Sequence, residues 1–298
     1  MSRNLFQGIC FFAAAALFAC GGETQTQSLR VVATTGMLAD LARNLAPQGV
    51  EVTALMPPGT DPHLYKPGQS DLARLRQADL ILFNGLHLEG KMIEALEKLA
   101  REKRVVAVGD SLPRGRLRPT QAGEFDPHLW FDPQIWSEVA QVAAIALFQT
   151  TGDASVFERA KTYQAELGKL DAEIRASLAG LETRVLVTAH DAFGYFGAAY
   201  DVEVVGLQGL STSAEAGLRD VARLVDVIVE RKIKAVFIES SVPPRTIEAV
   251  IKGCEQKGWG VRMGGTLYSD ALGPEGSEAE SYPGMMRYNV RTLVAALK

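Results

Sequence analysis

Three cysteines in 298 residues leave little for covalent bracing. Cys10 falls inside an apolar N-terminal run, Cys20 closes that run, and only Cys254 stands in the body of the chain. A disulfide within the mature chain is therefore excluded, and so is a cysteine-rich metal site. Basic charge is not in excess: 31 Lys and Arg against 35 Asp and Glu give a net charge of −4. That excludes an electrostatic nucleic-acid binder, which needs a clustered basic surplus. The N-terminal apolar run, residues 9–19, is too short to cross a bilayer comfortably. There is no His-Glu-x-x-His pattern and no nucleophile elbow, so the common signatures of metalloproteases and serine hydrolases are missing and the chain is expected not to be an enzyme. Histidine is scarce as well, with four residues in all.

What remains is ordinary globular composition, 47% hydrophobic and 22% charged, with enough length for each half to bury its own core. Residues 1–19 read as a signal peptide. The segment Leu17-Phe18-Ala19-Cys20-Gly21 resembles a bacterial lipobox, which makes Cys20 the expected lipidation site. Residues 20–28 are polar and small and form a flexible tether. Beyond it, β-branched runs alternate with helix-like segments. Strands are expected at 29–34, 50–56, 80–84 and 104–108, and again at 184–188, 203–207, 235–238 and 261–264. Helices are expected at 37–46, 70–78, 91–101, 192–199, 213–230, 244–257 and 283–297. The rhythm predicts an α/β fold of two lobes, each a roughly four-stranded parallel sheet flanked by helices.

Between the two sets lies a segment with Val156, Tyr163, Leu167, Leu170, Ile174 and Leu178 at helical spacing and opposite charges between them. It predicts one long, partly solvent-washed helix that joins the lobes stiffly, with Asp153 capping its start. The expected division is an N-terminal lobe over 29–152, a connecting helix over 153–182 and a C-terminal lobe over 183–298.

The four histidines carry the chemistry. Two stand in the same tripeptide, Asp61-Pro62-His63 and Asp126-Pro127-His128. Proline restricts its own φ and its predecessor, so each tripeptide is a rigid mount for a ligand. His63 and His128 follow expected strands of the first half, and His190 follows one of the second. In parallel α/β sheets ligands bind beyond the carboxyl ends of strands. A site shared by these three would lie in the interlobe cleft, and a carboxylate from the second half would complete a four-ligand metal site. Asp191, Glu239 and Asp270 all follow second-half strands, and spacing alone does not choose among them. Asp270 ends a glycine-led excursion able to reach inward. His87 also follows a strand and is expected to hydrogen-bond in packing. Trp130 and Trp136 are expected in the core.

Six landmarks in order resemble one family over essentially the whole mature chain: Thr34-Thr35-Gly36-Met37, Pro58-Gly59-Thr60-Asp61-Pro62-His63-Leu64-Tyr65, Asn84-Gly85-Leu86-His87-Leu88-Glu89, Asp126-Pro127-His128-Leu129-Trp130, Thr188-Ala189-His190-Asp191-Ala192-Phe193-Gly194-Tyr195, and Leu267-Tyr268-Ser269-Asp270-Ala271-Leu272-Gly273. The family is that of the zinc- and manganese-binding solute-binding lipoproteins of bacterial ABC importers. The resemblance implies metal ligands at His63, His128, His190 and Asp270, and so decides for Asp270. It implies Zn2+ or Mn2+ as cargo, an ABC permease with its ATPase as partners, and a monomer held outside the cytoplasm by its lipid anchor. Three nitrogens and a carboxylate tilt the choice to zinc, whereas the lack of a histidine-rich loop between His63 and His128 tilts it back. The alternatives are a secreted zinc metalloenzyme and a surface adhesin of the same family.

Overall fold

The computed structural model describes residues 28–120, 123–214 and 216–298. The expected signal peptide, Cys20 and all but the last residue of the expected tether lie outside the described residues.

The first lobe is built on four parallel strands, β1 (Leu29–Ala33), β2 (Val50–Ala54), β3 (Leu80–Phe83) and β4 (Arg104–Ala107), in the order β2-β1-β3-β4. Helices α1 (Gly36–Leu45), α2 (Gln69–Gln77) and α3 (Ile93–Leu99) connect and cover them. Thr35 starts α1 by accepting the Leu38 N–H on its hydroxyl. Because β1 is central, connections leave it in both directions, and the ends of the strands open onto a crevice. Here the expected strands and helices are found within a few residues of their expected ends.

In the second lobe, β5 (Val185–His190) pairs in parallel with β6 (Glu203–Gln208), and β7 (Ala235–Glu239) with β8 (Arg262–Leu267). Helices α6 (Gly194–Tyr200), α7 (Leu218–Glu230), α8 (Arg245–Gln256) and α9 (Tyr282–Leu297) surround them. The four strands expected are present, but as two hydrogen-bonded pairs with β5 packed beside β7. Where β5 and β7 end, a side chain spans the gap: the His190 N–H donates to Glu239 Oε1 at 2.9 Å. A bulge in β8 opposite Val236 and Phe237 is permitted by Gly264, where a Cβ would come within 2.6 Å of the Phe237 ring.

The long connecting helix is α5 (Ser155–Leu178), 24 residues and about 36 Å long. All six apolar residues of its expected stripe are buried, and Asp153 accepts the Ser155 N–H just before it begins. Its neighbours are α4 (Pro133–Thr151), α1 and α9, so the spine is a packed group of helices rather than a single rod. Helix α4 has no counterpart in the expected elements. Its sequence is apolar around most of its circumference, with Ile135, Trp136, Val139, Ala143 and Leu147 all buried, and this blurs the amphipathic period. Its end signals were nevertheless present: Asp132 caps the start, Pro133 opens the first turn, and Gly152 closes it at φ 72°.

One apolar core runs from Val31 in β1 through α1, α4 and α5 to Ala296 in α9, so both lobes share it. Smaller clusters lie outboard, one around Val32, Leu75 and Ile81 and one around Leu224, Ile228 and Val250. Trp130 and Trp136 are fully buried, as expected. The Trp130 indole donates to the Ser269 carbonyl at 2.8 Å, and the Tyr282 hydroxyl donates to the Trp130 carbonyl at 2.8 Å, which ties the two lobes together behind the cleft. Leu170→Ala, in the middle of the spine, is expected to lower the unfolding free energy of the metal-free chain by about 2–5 kcal/mol, read as a lower denaturant midpoint at unchanged slope. A midpoint equal to wild type would mean that α5 is not load-sharing in the common core.

Candidate metal centre

Four side chains converge in the cleft. His63, His128, His190 and Asp270 each present one donor atom, and these atoms lie within 4.8 Å of one another. The ring centroids of the three histidines are 5.4–5.9 Å apart. Asp270 Oδ2 lies 3.2 Å from His190 Nε2, and Oδ1 lies 3.6 Å from His128 Nε2. All four are buried, Asp270 at 1% exposure and His63 at 4%. A groove of about 510 Å3 reaches Asp270 from the surface, past Asp40, Arg43, Thr60 and Glu280.

Each position follows from local chain chemistry. In both Asp-Pro-His tripeptides the aspartate accepts the backbone N–H of the histidine two residues on, at 2.9 Å for Asp61 and 3.0 Å for Asp126. That side-chain turn, with proline between, fixes where the imidazole leaves the backbone. His128 immediately precedes a 3-10 turn, Leu129–Phe131, whose side chains are all buried. His190 is the last residue of β5 rather than the first of the following loop. Asp270 comes three residues after β8; Gly264 and Gly265, expected to lead the excursion, lie within that strand at its bulge.

Two more carboxylates aim the rings. Asp126 Oδ1 lies 2.8 Å from His128 Nδ1, and Glu239 Oε2 lies 2.6 Å from His190 Nδ1. Both contacts leave Nε2 directed at the centre, the usual way a carboxylate sets a metal-binding imidazole. Gly194 makes room for Asp126: a Cβ there would approach Oδ2 to 2.6 Å. Asn84 steadies the same loop, its amide donating to the Pro127 carbonyl at 2.9 Å, while buried Glu89 accepts from the Asn84 N–H at 2.7 Å and from Thr34 Oγ1 at 2.6 Å. The packing role expected of His87 therefore belongs to Glu89. His87 itself is exposed on a turn at φ 62° and takes no part in the cluster. Of the carboxylates that spacing left open, Asp191 stays outside the group and Glu239 stands behind His190.

The electrostatics are those of a desolvated, mutually dependent set. Burial lowers the His63 imidazole to about 3, so it is neutral at neutral pH. Burial also disfavours the charged form of His190, but the carboxylates of Glu239 and Asp270 outweigh it and hold that ring well above its ordinary value. Burial by itself would raise Asp270; His190 first, then His128 and His63, hold it below the usual carboxylate range. His63 Nε2, His128 Nε2 and both Asp270 oxygens are buried without a hydrogen-bond partner. Buried polar atoms normally have partners. A divalent cation would satisfy all of them, and three imidazole nitrogens with one carboxylate oxygen form a donor set suited to tetrahedral zinc.

A family model described as ZnuA, zinc-uptake complex component A, periplasmic, matches residues 31–296. The chain is 46% identical over 307 aligned residues to the manganese-binding lipoprotein MntA of Bacillus subtilis (strain 168), covering 100% of each. It is 46% identical over 271 residues to the zinc-binding protein TroA of Treponema pallidum (strain Nichols), covering 90% of this chain and 88% of that one. The solved structure of the periplasmic zinc-binding protein TroA from Treponema pallidum superposes with a TM-score of 0.88 at 44% identity, covering 91% of this chain and 99% of the other.

The supporting carboxylates make a direct test of this centre. Glu239→Gln and Asp126→Asn are each expected to weaken zinc binding by about 10- to 100-fold in chelator competition, since each removes the anion that orients and polarises an imidazole. Wild-type affinity in either variant would show that its carboxylate does not support the ring.

Proposed function

We propose a function on one premise: the chain belongs to the ZnuA family of periplasmic zinc-uptake components. It is the substrate-binding component of a metal ABC importer. It captures a divalent transition metal outside the cytoplasm and hands it to a membrane permease driven by an ATPase. The observation that carries this reading is the convergence of His63, His128, His190 and Asp270, two from each lobe, on one buried point in the cleft. A donor set assembled from two lobes holds metal only while the lobes are together, as a carrier requires. His63, His128, His190 and Asp270 are the proposed ligands, with Asp126 and Glu239 supporting them.

The cargo is zinc or manganese. The two relatives described above divide between these metals at equal identity, so the donor set argues the choice. Nitrogen-rich coordination favours zinc, which also stands above manganese in intrinsic affinity for such ligands. The chain acts as a monomer, and lipid attachment at Cys20 would keep it beside its permease. Residues 29–152 and 183–298 serve as the two jaws and 153–182 as their connection, whose stiffness the common core along α5 supports.

The deciding experiment is the thermal midpoint of the metal-stripped chain from residue 21 onward, titrated separately with zinc and manganese. Metal bound only by the folded state stabilises by about 4 kcal/mol at a thousandfold excess over Kd, a shift of many degrees for a chain of this size. No shift with either metal would sink the reading. His63→Ala and Asp270→Ala are expected to abolish most of the shift.

Proton release supplies a second test. At neutral pH His63 is already neutral, while Glu239 and Asp270 raise His190 and so favour its extra proton. Metal must displace that proton, so capture at pH 7 is expected to release about one proton per ion, and affinity to fall as pH falls. Binding heats measured in buffers of different ionisation enthalpy give the number. A value of zero would mean that His190 is neutral before metal arrives.

A further inference from the structure

The Asp-Pro-His tripeptide builds two of the three imidazole positions, and its two copies differ in the use of a single carboxylate. In both copies one oxygen accepts the histidine N–H. Asp126 also places its carboxylate on its own histidine's ring. Asp61 instead turns its second oxygen across the cleft, where Oδ2 accepts the Thr212 hydroxyl at 2.5 Å. The partners are 151 residues apart, one in the first-lobe loop between β2 and α2, the other in the second-lobe segment between β6 and α7.

That second-lobe segment is otherwise loosely held. Among the described residues of 209–219, Thr212 is the one that is buried, at 6% exposure. Among the described residues, no backbone–backbone hydrogen bond ties 210–216 to the rest of the chain. The segment therefore lies against the His63 loop chiefly through Thr212. His63 in turn depends on that contact more than its partners do. The rings of His128 and His190 each have a carboxylate behind them. His63 is set by its aspartate turn alone, and the aspartate that makes the turn is the one Thr212 holds.

We propose that the Thr212–Asp61 hydrogen bond is a latch across the cleft, and that it sets how fast bound metal is released by keeping His63 in place. This deepens, and rests on, the metal-capture reading. Thr212 touches no metal in this scheme and is a positioning residue acting through Asp61. With all four ligands buried, an ion leaves only after some part of the enclosure moves. Among the described residues of this segment, the Thr212 hydroxyl makes the side-chain hydrogen bond to the first lobe, and its departure frees Asp61 and the turn that aims His63. The bond reaches the His63 loop from the opposite lobe, and its effect is read on release.

The test compares Thr212→Val, which keeps the shape and removes the hydroxyl, with Thr212→Ser, which keeps the hydroxyl. Each chain is loaded with zinc and mixed with excess chelator, and the release rate is followed. Loss of a hydrogen bond to a charged group predicts release about 10- to 100-fold faster for Thr212→Val. Thr212→Ser is expected to stay near the wild-type rate. Thr212→Val releasing zinc at the wild-type rate, or Thr212→Ser releasing it as fast as Thr212→Val, overturns the latch. Failure of the wild-type chain to hold zinc at all would overturn the capture reading together with the latch, so the two failures are distinguishable.

Discussion

A carboxylate taken wholly out of water must be given countercharge or hydrogen bonds, and Asp270 is given neither by ordinary packing. It sits at 1% exposure with both oxygens unpartnered, facing three imidazoles. Much of the molecule serves to make that arrangement tolerable. One strand end and two proline-stiffened loops deliver the rings, while Glu239 and Asp126 stand behind two of them. With no metal bound, the compensation falls to His190, whose imidazole Glu239 and Asp270 hold well above its ordinary value against the cost of burial. On the proposed ligand set, a divalent ion would supply more positive charge at the same point. The centre is therefore poised between two ways of neutralising one buried anion, and this is the physical basis of reversible capture.

Holding such a site together across two lobes demands that the lobes not drift. The shared core answers this demand. Apolar residues of β1, α1, α4, α5 and α9 form one continuous cluster, and Trp130 and Tyr282 carry hydrogen bonds across it immediately behind the cleft. Broad hinge motion would have to break that core. Motion is cheaper at the rim, where loops meet through few contacts. Rigidity at the back and compliance at the front follow from the same distribution of buried area.

The repeated tripeptide shows how one local structure serves two ends. Both copies make the same turn, because aspartate and proline impose it wherever they stand in this order. What the second carboxylate oxygen then meets depends on the neighbourhood. Near Asp126 lie Arg118, at 3.6 Å, and the open space over Gly194. Near Asp61 lies a hydroxyl from the opposite lobe. The motif supplies the ligand, and its surroundings decide what the ligand is coupled to.

Sequence by itself determined a good deal. The alternation of strands and helices, the stripe of α5, the exclusion of cysteine chemistry and the placing of His63, His128 and Asp270 after strand ends all follow from local pattern, since period, proline and strand-end position act over a few residues. The choice of Asp270 over Asp191 and Glu239 came from resemblance, not spacing, and the structure groups Asp270 alone with the histidines. Helix α4 was obscured because its exposed face also carries apolar residues, Ile145 and Phe148, which blurs the polar stripe that reveals a helical period. The division of the second sheet into two pairs, the exposure of His87 and the service of Glu239 to His190 were decided only by tertiary structure. So was the bond between Asp61 and Thr212. These partners lie 49 and 151 residues apart, and whether two such groups meet depends on how the packed core sets one lobe against the other, a distance that no local preference of the chain encodes.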